Sequence, residues 1–372
     1  MTAMHRIYGA LAVIGLAAPA AAQDSQSIAD AVQQALREAR VEVLEAAQAG
    51  RDAAQAARAA AQAEREAERR RRQEARQGPE ITEQVSRTAR LGRNGTFSLE
   101  NVSGEIVITG GGGNDVRIEA TKRVRHPIES EARAILQALT INVTERDGSV
   151  DVRTGYEYSR RRNWSGSVDY MVTVPRDASV SLKSISGGVK VTNVNGELRA
   201  ESVSGGIVTT GVRRIRTLKS TSGDVQIADS ESDDLIAGTI SGSVVIKSMK
   251  GRILSLSSVS GDVRLTDVDA DHVELHSVSG DLEYTGRLSR SGRYEFQTHS
   301  GNIRITPVGV QSFSLEATTF SGDVRSDYPL TVQGPLGNGF ARRRNSVRGT
   351  FGSGGAMLTL QSFSGNIVIV KQ

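Results

Sequence analysis

Apolar and polar positions alternate along most of this chain, and from Ser184 onward they do so in fixed phase with a recurring motif, Ser/Thr-x-Ser-Gly. The second serines of the nine copies are Ser186, Ser204, Ser222, Ser241, Ser260, Ser279, Ser300, Ser321 and Ser364. They are separated by 18, 18, 19, 19, 19, 21, 21 and 43 residues. A period near 20 is the mark of a solenoid, in which each repeat is one coil stacked on the last. Three positions after every serine stands an apolar residue, from Val189 and Ile207 through Val263 and Leu282 to Ile367. Two positions further on the column is again mostly apolar, as at Val191, Ile227, Leu265 and Ile369. That alternation predicts one short strand. Val273-x-Leu275-x-Ser277 and Tyr294-x-Phe296-x-Thr298 predict a second strand before the serine. Each coil thus carries two strands of about five residues, joined by Ser-Gly on one side and by polar turns such as Asn193–Gly196 on the other. Equal columns stack about 4.8 Å apart.

The pattern makes the Ser/Thr columns hydroxyl ladders at a corner, with glycine supplying a positive-φ turn. Asp224, Asp262, Asp281 and Asp323 follow the glycines. A catalytic serine would be singular, whereas these are periodic, so they read as turn chemistry repeated for structure. The residue between the two hydroxyls runs Ile185, Val203, Thr221, Ile240, Val259, Val278, His299, Phe320, Phe363. Exposed apolar strips of a few hundred Å² are rare, so a corner bend is expected to tuck this column inward. His299 then reads as a hydrogen-bonded corner residue, since no second His shares its column.

Glu274, Glu295 and Glu316 fall at one outward offset in three successive coils. Like charges stacked this closely repel, and Arg304 and Arg325 on the neighbouring strand would offset them. The three glutamates are candidate interaction residues for a cation or cationic polymer; the plainer reading is a solvated face. The final interval of 43 residues is about two periods, so one coil is expected to have lost its Ser-Gly corner. Gly334-Pro335 and Gly337-Asn338-Gly339 predict a loop there. Arg342, Arg343, Arg344 and Arg348 would face an acidic envelope polymer or partner from it, unless the loop only covers the C-terminal cap.

Upstream of the repeats, residues 81–180 are strand-like but irregular. Glu129 to Leu139 has helical spacing, and Tyr170–Pro175 is a strand stopped by proline. This stretch is expected to cap the first coil, whose open end would otherwise be an unpaired sheet edge. Residues 23–80 are rich in Ala, Arg and Glu. Ala46, Ala49, Ala53, Ala56, Ala60, Ala63 and Ala67 step 3-4-3-4-3-4, a heptad seam made of alanine. Alanine buries little area, so the helix is either a solvated stalk braced by pairs such as Glu66–Arg70 or a weak self-association element. Arg69–Arg72 with Arg76 would touch a membrane surface or simply solvate the helix end. His5-Arg6, the apolar run Ile7–Ala18 and Ala20-Ala21-Ala22 predict a signal peptide over residues 1–22, with Gln23 opening the mature chain. The repeats fill residues 181–372.

Composition narrows the function. Aromatic content of 4% with 39 glycines suits a narrow β-solenoid. A net charge of +4 over 372 residues leaves no nucleic-acid footprint. The absence of cysteine excludes disulfides, thiolate catalysis and Cys-ligated metal. No cofactor or metal site is called.

Three segments then resemble a known group: Val168–Pro175, the Ser-x-Ser-Gly-Gly/Asp-Val coils, and the stretch from Gly352 to Ile367. Over roughly Phe97 to Val370 the chain is similar to the bacterial putative-adhesin family of β-strand-repeat domains of unknown function. The resemblance implies a parallel β-solenoid exposed in the envelope, and it brings no catalytic residues. The expected fold is all-β: a parallel β-solenoid (β-helix) of 18–21-residue coils with an irregular β-rich N-terminal cap and a long Ala/Glu/Arg-rich N-terminal helix. The expected function is that of a non-enzymatic exported protein, periplasmic or at the cell surface. It would act as an adhesin or scaffold on an envelope polymer, glycan or envelope protein. The alternatives are an envelope-stress sensor acting through the helix and a polysaccharide-active β-helix enzyme.

Overall fold

The computed structural model describes residue 59, residues 62–64, 78–156, 165–310, 312–331 and 345–371. The chain divides into two units, Met1–Arg76 and Gln77–Gln372. Of the first, Ala59 and Gln62–Glu64 are helical. The signal peptide, the rest of the alanine seam, Arg69–Arg72, Arg76 and the candidates Arg342, Arg343 and Arg344 lie outside the described residues.

The second unit is an all-β, solenoid-like sheet. Its strands pair in parallel, and corner serine meets corner serine: Ser204 with Ser186, Ser222 with Ser241, Ser260 with Ser279, Ser279 with Ser300. Each coil is named here by that serine. In the Ser241–Ser300 part of the stack the pairing continues around the far corner, so strands such as Val244–Ser260 and Val263–Ser279 run 17 residues through a bend. The interior columns are dry. Val263, Leu265, Val273, Leu275 and Phe296 are fully buried, and each packs on its equivalents in the coils above and below.

The Ser-Gly corner owes its sequence to two close contacts. The first hydroxyl of the motif points inward, and in six coils it donates to the glycine carbonyl of a neighbouring coil, as Thr239 does to Gly223 at 2.9 Å, Ser258 to Gly242 at 2.9 Å and Ser362 to Gly301 at 3.1 Å. The glycines themselves leave no room. A Cβ on Gly261, at φ +142°, would lie 2.1 Å from the Gly242 carbonyl oxygen. The carboxylates after the glycines accept backbone N–H groups from the next coil, as Asp224 does from Ser243 at 2.8 Å and Asp262 from Asp281 at 2.9 Å. At the opposite corner, seven residues on, the backbone is left-handed at Asn193, Gly211, Asp229, Ser248 and Asp267.

Two features of the stack depart from the sequence reading. First, the strand Thr96–Ser103 joins it as a further coil: Ser103 pairs with Ser186 and Asn101 with Ser184. Asn101-Val102-Ser103-Gly104 is thus another copy of the motif. The Asn101 amide replaces the hydroxyl and donates to the Val168 carbonyl at 2.8 Å. Second, coil order is not chain order. Ala356–Ser364 pairs with Leu282–Ser300 on one side and Phe313–Ser321 on the other, so the Ser364 coil lies between the Ser300 and Ser321 coils. The long final interval is not a coil that lost its corner. Its described part returns as Ser346–Phe351, antiparallel to Phe313–Ser321, and covers the end of the stack.

At the other end, antiparallel strands Glu80–Arg90, Asp115–Arg125 and Ser165–Pro175 close the sheet. The predicted helix forms over Glu129–Ala138, where Ala132, Ile135 and Leu136 pack on Val124 and Leu139.

Candidate interaction surface

The column between the two hydroxyls faces outward, against expectation. Ile185, Val203, Ile240 and Val278 are each half exposed, and Phe320 is 71% exposed. The reason lies in the corner. The first hydroxyl position is buried in every copy, so strand alternation leaves the next side chain outside. In stack order the ridge reads Val102, Ile185, Val203, Thr221, Ile240, Val259, Val278, His299, Phe363, Phe320. Nine steps of about 4.8 Å make it about 43 Å long.

The ridge has an aliphatic part and an aromatic part. His299 and Phe320 lie far apart in sequence from Phe363, and the intercalated coil places the Phe363 ring between them. His299–Phe363 and Phe320–Phe363 stack at 4.8 Å with interplanar angles of 9° and 6°. A groove of about 990 Å³ runs beside these rings. It is lined by His276, Gln297, Gln361, Thr318, Asn345 and Ser346, and among the described residues its lining holds no Lys, Arg, Asp or Glu. On its floor the buried Ser277 hydroxyl lacks a hydrogen-bond partner, unlike its counterpart Ser258. A second groove of about 860 Å³ follows the aliphatic part. Lys183, Glu201 and Lys219 form its charged border.

The sequence candidates Glu274, Glu295 and Glu316 lie on the same outward face, four residues before Val278, His299 and Phe320. Glu274 and Glu295 are neighbours on adjacent strands, but Thr359 of the intercalated coil separates Glu295 from Glu316. The three glutamates are therefore not a continuous ladder. Each has its own partner. Glu274 faces His272 at 3.0 Å, and that ring nitrogen holds its carboxyl below the usual carboxylate range. Glu295 accepts from Gln297 at 2.6 Å. Glu316 is bound by Arg348, which the antiparallel pairing sets directly opposite it. Arg325 pairs with Asp323 at 3.3 Å rather than with a glutamate. Among the described residues no group of three or more His, Asp and Glu could hold a metal ion, and no helix is long and apolar enough to cross a membrane.

Comparison with known proteins gives the following. The sequence model of Toastrack DUF4097 matches residues 103–370. No curated protein matches the chain significantly. Among solved structures, a putative adhesin from Bacteroides fragilis is 16% identical, aligns over 77% of this chain and 97% of its own, and has a TM-score of 0.38. One from Parabacteroides distasonis is 12% identical over 77% and 97%, with a TM-score of 0.39. A putative cell adhesion protein from Clostridium sporogenes is 10% identical over 78% and 100%, with a TM-score of 0.19.

Proposed function

The chain belongs to the Toastrack DUF4097 family, and from that premise we propose that it is a non-enzymatic, exported envelope protein. In this reading it is a parallel β-solenoid of 18–21-residue coils that acts as an adhesion or scaffolding module. The observation that carries the reading is the ridge. A side chain repeated at one exposed offset in coil after coil does nothing for the interior, and large exposed apolar strips mark binding surfaces.

The partner we assign to the aromatic part is an uncharged, hydroxyl-rich glycan of the envelope or of a contacted surface. The groove offers ring surface for the apolar faces of sugars, with amides and hydroxyls for their oxygens. Among the described residues its lining has no Lys or Arg to compensate phosphate or sulfate groups. Glu274, Glu295 and Glu316, on the same outward face four residues before the ridge, support an enzyme poorly, because each is occupied. The test compares wild type with Phe320→Ala/Phe363→Ala for retention on neutral and acidic glycans. Loss on the neutral glycan, with an unchanged melting temperature, is the expected result. Equal retention by both proteins removes the ridge from the function.

A further inference from the structure

The aliphatic half of the ridge has a property the aromatic half lacks: its border alternates in charge. Two positions before each ridge residue, the outward column reads Glu100, Lys183, Glu201, Lys219 in stack order, then Gly238 and Ser257 without charge. Arg153, beyond Glu100 in the same column, is already engaged with it at 3.5 Å. Among the described residues, Lys183, Glu201 and Lys219 have no ion-pair partner within 4.0 Å, although each is exposed.

We propose that this half of the ridge is a homodimer interface, in which the occupant is the same face of a second copy. A two-fold axis makes a surface meet itself, so residue i contacts j and j contacts i. The sequence −, +, −, + is complementary to its own reverse. With the axis between Lys183 and Glu201, Lys183 faces Glu201 of the second copy, and Glu100 faces Lys219. All four charges of each chain then meet the opposite sign. The same axis sets Ile185 against Val203 and Val102 against Thr221, bringing the apolar strips together. Half-exposed Ile236 and Ile240 flank Gly238 and extend the apolar strip beyond the charges.

Area sets the strength. Six coils of about 4.8 Å spacing and five residues of strand give a strip about 24 Å by 13 Å. That is well under the roughly 800 Å² each partner buries in a stable complex. The dimer is therefore a weak, reversible one, steered by its charges and weakened by salt. This inference is independent of the glycan reading, which concerns the other end of the ridge.

Sedimentation equilibrium of the full chain tests it. Wild type should dimerise, and Lys183→Glu or Glu201→Lys alone should weaken dimerisation by about tenfold or more, because symmetry counts each change twice. An equimolar mixture of the two single variants should dimerise again, since one chain then carries Glu at both positions and the other Lys. The double variant Lys183→Glu/Glu201→Lys should also recover, although it leaves the alternation within its own stack broken. Melting temperatures of all variants serve as the folding control. A wild type that stays monomeric at about 100 μM overturns the proposal. So does a dimer indifferent to both single variants, which would assign association to another segment. Failure of both the mixture and the double variant to recover overturns the two-fold register.

Discussion

The two corners of each coil solve the same problem, reversing the chain, under different constraints. At the Ser-Gly corner the coils approach so closely that a glycine carbonyl of one lies where a Cβ of the next would be, as between Gly242 and Gly261. In most coils the inward hydroxyl reaches that neighbouring carbonyl, and the motif admits little variation. At the far corner Asn193, Gly211, Asp229 and Ser248 share a left-handed backbone, and only Gly110 and Gly286 at that offset are pressed against a neighbouring coil's backbone oxygen. Where neighbouring coils set the limit, sequence is nearly invariant; where a single dihedral does, several residue types serve.

Substitutions sharpen this contrast, beginning with the largest effect. Val259 and Val263 flank the same corner, one on the ridge and one in the dry interior. Val263→Asp should cost about 4 kcal/mol or more, because its charge has no partner inside the stack. Val259→Asp should stay within about 0.5 kcal/mol. Urea denaturation of the pair checks both, and equal midpoints would put the corner in the wrong phase. Gly261→Ala should cost about 3 kcal/mol, since a backbone oxygen must move. Ser258→Ala removes the bond to Gly242 and should cost about 1–2 kcal/mol by leaving that carbonyl without its hydroxyl donor. At the far corner, Ser248→Gly relieves a positive φ of 52° but removes the exposed bond to Asp267, and the two nearly offset, so stability should change by less than about 1 kcal/mol. A large loss there would show that the far corner is also set by packing.

Much of this was legible in the sequence. The period, the inward columns at Val263 and Leu265, the helix at Glu129–Ala138 and the structural role of the repeated serines follow from spacing alone. The ridge was legible as a column but not in its direction. A general rule against exposed apolar strips outweighed the local alternation, and the hydrogen bonds that decide the matter appear only when coils stack. The Ser103 coil escaped notice because Asn101 does the work of a hydroxyl through its amide. The grouping of His299, Phe363 and Phe320 was hidden for a different reason. Their positions in sequence imply neighbouring coils in chain order, and the stack does not keep chain order.

That reordering bears on how the molecule is made. A solenoid built in order can add each coil as it emerges from synthesis or export, every new layer settling on a finished one. Here the Ser321 coil emerges before its neighbour exists and has no surface of its own kind to settle on. It must wait, with Phe313, Leu315 and Ala317 uncovered, until Ala356–Ile369 arrives and slides between it and the Ser300 coil. The closing step therefore joins segments more than sixty residues apart, from Ser300 to Ser364, a long-range event that is slow by nature. A chain interrupted after Phe351 would not be one layer short. It would lack the layer between two others, and the end of the stack could not close.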